Sequence, residues 1–441
     1  MEKIAGQSIL NSLETQFEAF EKSLNGQSKS AAHAVRKEAF SSLMNSGFPG
    51  PKNEEYKFTN FTRAVEKNFE LNGTNADFGL TEAQISATQI EGLDAHKIVF
   101  LNGIYSSKLS DNIQVEGLKV ESLAEGFKAN SALAQSNFGT KASFAEDAFV
   151  ALNTAFSQHG VMIEVADKAV IEKPIVLYFI GDSSTAELSY HIRNIVVAGK
   201  FSQATIIEKF DTVGEHKSFT TSVNEISVSD NAHLRFFKIE NDTEQAYHIS
   251  NIHASQGTNS NFKAFTFSLN GAMIRNNLNI KLQAEGIETY MNGLYLLDGK
   301  THVDNHTVAD HMMPNCYSNE LYKGIMDGSS KGVFNGKIFV RPDAQKTNAF
   351  QSNKNILISD KATVNTKPQL EIWADDVSCS HGCTTGQLDM DALFYLQARG
   401  IQKDKARAIL LKAFANDVLE TVENEAIKEY LAAIIEKRLE K

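Results

Sequence analysis

From about residue 160 the chain strings together short β-rich runs for more than two hundred residues. No stretch among them has the period of a surface helix. The runs include V-M-I-E-V, P-I-V-L-Y-F-I, A-T-I-I-E-K-F, L-R-F-F-K-I, L-N-I-K-L and G-K-I-F-V. A weak internal repeat punctuates them: Asp167-Lys168-Ala169-Val170, Asp230-Asn231-Ala232-His233-Leu234 and Asp360-Lys361-Ala362-Thr363-Val364. In each, an acidic turn is followed by a small residue that can face inward and then by an apolar one. Such recurrence suits a solenoid, whose stacked coils each bury a neighbour's face. An antiparallel sandwich also accommodates many strands with turns. One sandwich of this length is large, and the turns are not mainly Asn-Gly or Asp-Gly. The pattern therefore leans to the solenoid and leaves the sandwich open.

The flanks have a different texture. Ile9, Leu10, Leu13, Phe17 and Phe20 recur at helical spacing, and a second helix is predicted over about 30–45 with Ala34, Ala39, Phe40 and Leu43 on one side. It stops before Gly47-Phe48-Pro49-Gly50-Pro51, which cannot continue a helix. Lys97 to Tyr105 reads as a strand running into an Asn-Gly turn, and 119–159 reads as helical, with Phe149, Leu152 and Phe156 on one stripe. Beyond the β-rich stretch, Asp389 can cap a short helix that Gly400 closes. Two stripes follow: Ala406, Ile409, Leu410, Ala413, Phe414 and Val418, then Ile427, Leu431, Ile434, Ile435 and Leu439. The predicted organisation is an N-terminal helical and mixed region (1–159), a β core (160–388) and a C-terminal helical domain (389–441). Apolar surface on that last domain could dock a partner.

A net charge of -11 argues against nucleic acid or an anionic membrane as the main partner. The longest apolar run, Ile175 to Ile180, is far too short to span a bilayer, and the first residues lack a signal-peptide pattern. Three cysteines argue against a disulfide framework and for the cytoplasm, where thiols stay reduced.

Common catalytic signals are absent. Gly293 to Thr301 has five residues between its glycines where a phosphate loop needs four, and the sequence has no G-x-S-x-G elbow and no H-E-x-x-H helix. Two stretches hold groups that bind metals. Gln369 to Gly386, Q-L-E-I-W-A-D-D-V-S-C-S-H-G-C-T-T-G, carries Cys379, His381 and Cys383. In an extended backbone these alternate positions share a face, and thiols with an imidazole suit soft or borderline metals or sulfur. The spacing matches no standard zinc framework, so two small buried cysteines and a hydrogen-bonded histidine are the simpler reading of spacing alone. The second stretch, 301–316, holds His302, His306, His311, Asp304, Asp310 and Cys316, and reads as hydrogen-bonded groups rather than ligands.

The run L-E-I-W-A-D-D-V-S-C-S-H-G-C-T-T-G-Q-L-D followed by L-F-Y-L-Q-A-R-G-I closely resembles the SufB/SufD family of the SUF iron–sulfur cluster assembly machinery, on its SufD side. Gly332 to Val340, Ala344 to Gln351, Met273-Ile274-Arg275-Asn276 and, less closely, Glu55-Tyr56-Lys57-Phe58-Thr59 support it. The resemblance is strong over about 270–400, moderate over 145–270 and loose before that. It implies a mainly β fold, a right-handed parallel β-helix between helical regions. It implies a non-catalytic scaffold that pairs with SufB through the β-helix core, in a complex that also holds two copies of the ATPase SufC, and that binds SufC through its C-terminal domain, around Leu393, Phe394, Tyr395, Arg399 and Gly400. The family's C-S-H-G motif falls on Cys379 and His381, which makes His381 a candidate ligand of a nascent cluster at the paralogue interface. The isolated chain is expected to hold no tightly bound cofactor, with a transient iron–sulfur cluster arising only in the complex, and to form a possible homodimer when SufB is absent. SufB-type chains usually carry extra cysteines upstream, and this chain has none before Cys316. A SufB-type paralogue is one alternative, and a β-helix carbohydrate-active enzyme is the other.

Overall fold

The computed structural model describes residues 6–24, 29–69 and 78–439. The outermost ends of the first and last predicted regions, together with 25–28 and 70–77 inside the first, lie outside the described residues. Strand outweighs helix, 41% against 27%, so the fold class is mainly β. From Val161–Val165 onward, successive strands alternate between two sheets, one of ten strands and one of nine. In the first, Glu288–Leu297 runs parallel to both Asn261–Asn270 and Tyr317–Met326. In the second, Met273–Leu282 runs parallel to both Ala246–Gln256 and His302–His311. Reaching a parallel neighbour after one strand in the opposite sheet is one coil of a β-solenoid, here of about eight turns. The antiparallel sandwich is excluded.

The two ends of the solenoid differ. At the start, His96–Leu101 joins the ten-stranded sheet and turns through Asn102 and Gly103, both at positive φ, into an antiparallel partner, Ile104–Tyr105. Leu118–Ser122 likewise pairs antiparallel with Val161–Val165. The solenoid thus draws strands from before residue 160, and these antiparallel pairs cap its first coil. Among the described residues the opposite end has no such cap.

Alternation decides what each strand buries. Ile206, Phe236 and Phe262 from one sheet and Ile192, Ile226 and Ile280 from the other fill the lumen. The repeated acidic turns work as their pattern predicts: Lys168 and Asn231 sit at positive φ, and Ala232 and Ala362 point into the core. Asp167 Oδ1 accepts the Lys200 amide of the next coil at 2.7 Å, and Asp230 Oδ1 accepts that of Thr258 at 3.1 Å.

Both outer faces are covered. The N-terminal helices Gln7–Ser23, Ala31–Ser46 and Ala148–Phe156 pack on the nine-stranded sheet, where Phe149 and Leu152 meet Phe219 and Ile249. The polar segment around residues 53–59 straps the same face. Lys337 bonds Glu55 at 2.6 Å, and Arg275 donates to the Glu55 carbonyl at 2.8 Å. The predicted 119–159 helix is instead Leu118–Ser122 in strand and three short helices, Leu123–Lys128, Ala132–Asn137 and Ala148–Phe156. Ser122, Ser131 and Asp147 each cap a new start, and Gly139, at positive φ, breaks the path between the last two.

The C-terminal helices Lys403–Leu419 and Glu425–Leu439 cover the ten-stranded sheet. Leu411, Ala415, Val418, Ile427, Leu431 and Ile435 pack with Ile207, Phe237, Phe265 and Leu294. The second predicted stripe holds, but the first is rotated. Ile409 and Ala413 face solvent, while Leu411, Ala415 and Leu419 are buried. The broad apolar coverage of that helix gave no single phase to read.

Candidate functional site

The last strand, Ser378–Gly386, is the outermost member of the ten-stranded sheet, paired with Asn348–Leu357 on one edge and, among the described residues, with no strand on the other. Thr363–Ile372 is likewise outermost in the nine-stranded sheet. The lumen therefore opens at this end. In the ladder Cys379 stands opposite Ala349, His381 opposite Gln351 and Cys383 opposite Asn353. Those partners are buried in the lumen, so 379, 381 and 383 share the inward face, as the extended reading expects. With no coil above them, they face outward through the mouth.

The three side chains have different surroundings. Cys379 is half-buried against the apolar core, and burial pushes its thiol up, with the Ala349 backbone hydrogen bond opposing. His381 is exposed. Cys383 is exposed, with its Sγ 2.8 Å from Thr366 Oγ1 across the mouth. Gly382 sits in ordinary strand, and a Cβ on it would meet nothing within 4 Å, so nothing in this chain requires a glycine there. Among the described residues no group of three or more His, Cys, Asp or Glu side chains is placed to hold a metal ion.

The side chains of the 301–316 stretch are engaged within the chain. His302 bonds Thr59 at 3.0 Å, His306 lies 2.9 Å from Asp304, and His311 bonds Ser318 at 2.9 Å. Cys316 is buried and donates to the Ala284 carbonyl at 3.2 Å. Gly293 to Thr301 is strand and turn, without the helix N-terminus a phosphate needs.

Beside the mouth lies the short helix Met390–Ala398, capped as expected by Asp389, which accepts the amides of Asp391 and Ala392, and closed at Gly400 with φ 86°. Of the residues expected to meet a partner, Leu393 is buried within this chain. Phe394 and Tyr395 are 72% and 57% exposed, and Arg399 stacks over the Tyr395 ring at 4.9 Å. Met390 is exposed as well.

Sequence reasoning missed the polar interior. Glu208, Lys238, Glu240, His248 and Asn276 are buried in the lumen, where Asn276 bonds Glu240 at 3.1 Å and Asn194 bonds Glu208 at 2.6 Å. Toward the mouth the interior continues with Tyr295, Glu320, Gln351, Asn353 and Asn355. The signal was parity: in L-R-F-F-K-I-E, Lys238 and Glu240 share the parity of Leu234 and Phe236.

A parallel solenoid with an open, cysteine- and histidine-bearing mouth, flanked by helices, is the frame on which the comparisons fall. The sequence matches the family model described as SUF system FeS cluster assembly, SufBD core domain, over residues 179–414, and that of the SufBD protein N-terminal region over 7–177. The chain belongs to the SufBD family of iron–sulfur cluster assembly proteins. Within it, the chain is a SufD homologue. It is 29% identical to the iron–sulfur cluster assembly protein SufD of Escherichia coli, over 90% of each chain. It is 28% identical to a SufBD family protein of Synechocystis, over 85% of this chain and 84% of that one, and 24% identical to SufD of Bacillus subtilis, over 89% and 90%. This membership sets aside the carbohydrate-active alternative. No helix among the described residues is long and apolar enough to cross a membrane.

Proposed function

We propose that this chain is a non-catalytic scaffold subunit of a SUF complex that pairs with a SufB-type paralogue at its open mouth and presents His381 to the nascent cluster there. The observation that carries this reading is the unpartnered edge of the strand Ser378–Gly386, with His381 exposed beside Cys379. An open strand edge is a template for pairing with another chain. Thiolates hold iron–sulfur clusters firmly, whereas a neutral imidazole is a weaker donor to iron and releases it more readily. A histidine at such an edge completes a site whose thiolates come mostly from the partner. The cluster is cargo, and the isolated chain holds no tight cofactor. The exposed Phe394 and Tyr395 support docking of the SufC ATPase on the C-terminal helices. In the absence of SufB, two copies of this chain can pair through the same edge. The cytoplasm is the compartment that suits these reduced thiols.

The test is co-purification of the three proteins with iron and sulfide measured for wild type and His381→Ala. The expected result is an intact complex deficient in cluster, with Cys379→Ala milder and Cys383→Ala close to wild type. An intact His381→Ala complex that builds cluster normally removes His381 from the site.

A further inference from the structure

The column of side chains that leads to His381 changes character along the solenoid. Ile206, Phe236, Ala264, Met291, Glu320, Gln351 and His381 stand opposite one another in turn, one per coil. The first four are apolar and buried, as a packed lumen requires. The next two are polar, yet only 1% and 3% exposed. Gln351 donates through Nε2 to Glu320 Oε2 at 2.7 Å. Its own Oε1 is buried without a partner among the described residues. Across the lumen, a Cβ on Gly336 would fall 2.3 Å from Gln351 Nε2, so the glycine leaves room for this amide. A buried carbonyl oxygen without a donor is costly, and it sits one coil beneath the exposed imidazole of His381.

We infer that Glu320 and Gln351 are positioning residues for His381: Gln351 Oε1 accepts the imidazole N–H turned away from the cluster, and Glu320 fixes the Gln351 amide so that Oε1 is the atom presented. The inference rests on the reading of His381 as a cluster ligand. A ligating histidine uses one ring nitrogen, and the acceptor on its other nitrogen selects the tautomer and fixes the ring. Of the two hydrogen bonds in series, the one from Gln351 to Glu320 is in place, and the one from His381 to Gln351 Oε1 forms when the exposed ring turns toward the lumen. Without Gln351 the ring is free to turn at the mouth. Without Glu320 the amide is free to flip and offer a donor, which cannot accept the imidazole proton.

The test reads the ring-nitrogen chemical shifts of His381 in the isotope-labelled full chain, assigned by their loss in His381→Ala. Cluster yield is measured on the reconstituted complex. In wild type one tautomer is expected to predominate. Gln351→Leu should mix the tautomers and lower cluster yield several-fold, and Glu320→Leu should do the same to a smaller extent. Glu320→Gln, which can still accept from Gln351 through its own amide oxygen, should restore both readouts. If Gln351→Leu does not fold, Gly336→Ala, which pushes the Gln351 amide aside, takes its place. Wild-type ring shifts in these variants, with cluster yield still dependent on His381, overturn the inference alone. Normal cluster yield in His381→Ala overturns the ligand reading instead, and the ring shifts still decide the hydrogen bond.

Discussion

Arg193 and Glu225 form an ion pair that solvent does not reach, with guanidinium Nη2 and Nε 2.6 and 3.1 Å from one carboxylate oxygen. Arg193 also donates to Thr154 at 2.7 Å, and Glu225 accepts the amides of Gly139 and Lys141. The pair therefore bolts the helix Ala148–Phe156 and the loop before it to the outer face of the nine-stranded sheet.

Arg193→Ala leaves Glu225 buried without its counter-charge, and unfolding in urea should show a loss of about 3–5 kcal/mol. Replacing both residues, Arg193→Met with Glu225→Leu, should recover much of that loss. Burial pushes the Glu225 carboxyl up, but Arg193 and the two amides outweigh it and hold it below the usual range. Its contribution is present above the ordinary carboxylate pKa and disappears as pH falls through the depressed value. Wild type should therefore lose more stability in acid than the double variant.

Glu208 has the opposite sign. Burial pushes it up to about 7, against the pull of Lys238 and the amides of Asn194 and Asn224. The folded chain then holds a proton that the unfolded chain releases near pH 4.5. Stability is fully present below that value and is lost as pH rises to about 7. Relative to Glu208→Gln, which cannot titrate, wild type should lose on the order of 3 kcal/mol across this window and stay parallel outside it. Urea midpoints at a series of pH values read the difference. Parallel curves throughout would mean that Glu208 is ionised in the lumen.

The C-terminal region combines two helices that cover the ten-stranded sheet, Lys403–Leu419 and Glu425–Leu439, with the short helix Met390–Ala398 that carries the exposed Phe394 and Tyr395. The covering pair is tied to the solenoid by Lys323 to Asp417, Arg407 to Asp327 at 2.9 Å and Arg438 to Asp298 at 2.8 Å. Removing 389–441 should expose Phe237, Phe265 and Leu294 and yield an aggregating chain. Phe394→Ala with Tyr395→Ala removes only exposed rings, so stability should change by less than about 0.5 kcal/mol. ATPase co-purification should nevertheless fall sharply. Undiminished binding by the double variant places the docking surface elsewhere.

Much of this architecture was legible because alternation is a local property. The runs around Ile175–Ile180 and Leu234–Ile239 announced strands, the Asp230-Asn231-Ala232 turn announced a coil, and the two-residue spacing of Cys379, His381 and Cys383 announced one shared face. Alternation says which side a residue takes, but not where the stack of coils stops. The exposure of His381 follows from the absence of a further coil, and no residue near it encodes that absence. The polar lumen was hidden for a related reason. Lys238 and Glu240 read as solvent-facing residues until their parity is matched to Phe236, and their mutual pairing depends on neighbours such as Asn276 that are one coil away. Leu411 and Ile409 exchanged roles because the helix that carries them is apolar on more than one side.

The three thiols offer a direct measure of what covers the mouth. Cys316 lies inside the coil stack, bonded to Ala284, and burial pushes its thiol up. Cys379 is half-buried, with its thiol also pushed up. Cys383 stands exposed at the rim. Thiolate fraction and access together set the rate of attack on a disulfide reagent. The dilute isolated chain should react first at Cys383, more slowly at Cys379, and at Cys316 only on unfolding, as mapped by mass spectrometry. Adding a SufB-type partner should slow Cys383 to the rate of Cys379 or below, because strand pairing across Ser378–Gly386 closes the mouth. Raising the concentration of the chain alone should give the same protection if two copies pair through this edge. Cys383 that reacts equally fast in the assembled complex means that the partner docks away from the open end, and the interface reading of His381 falls with it.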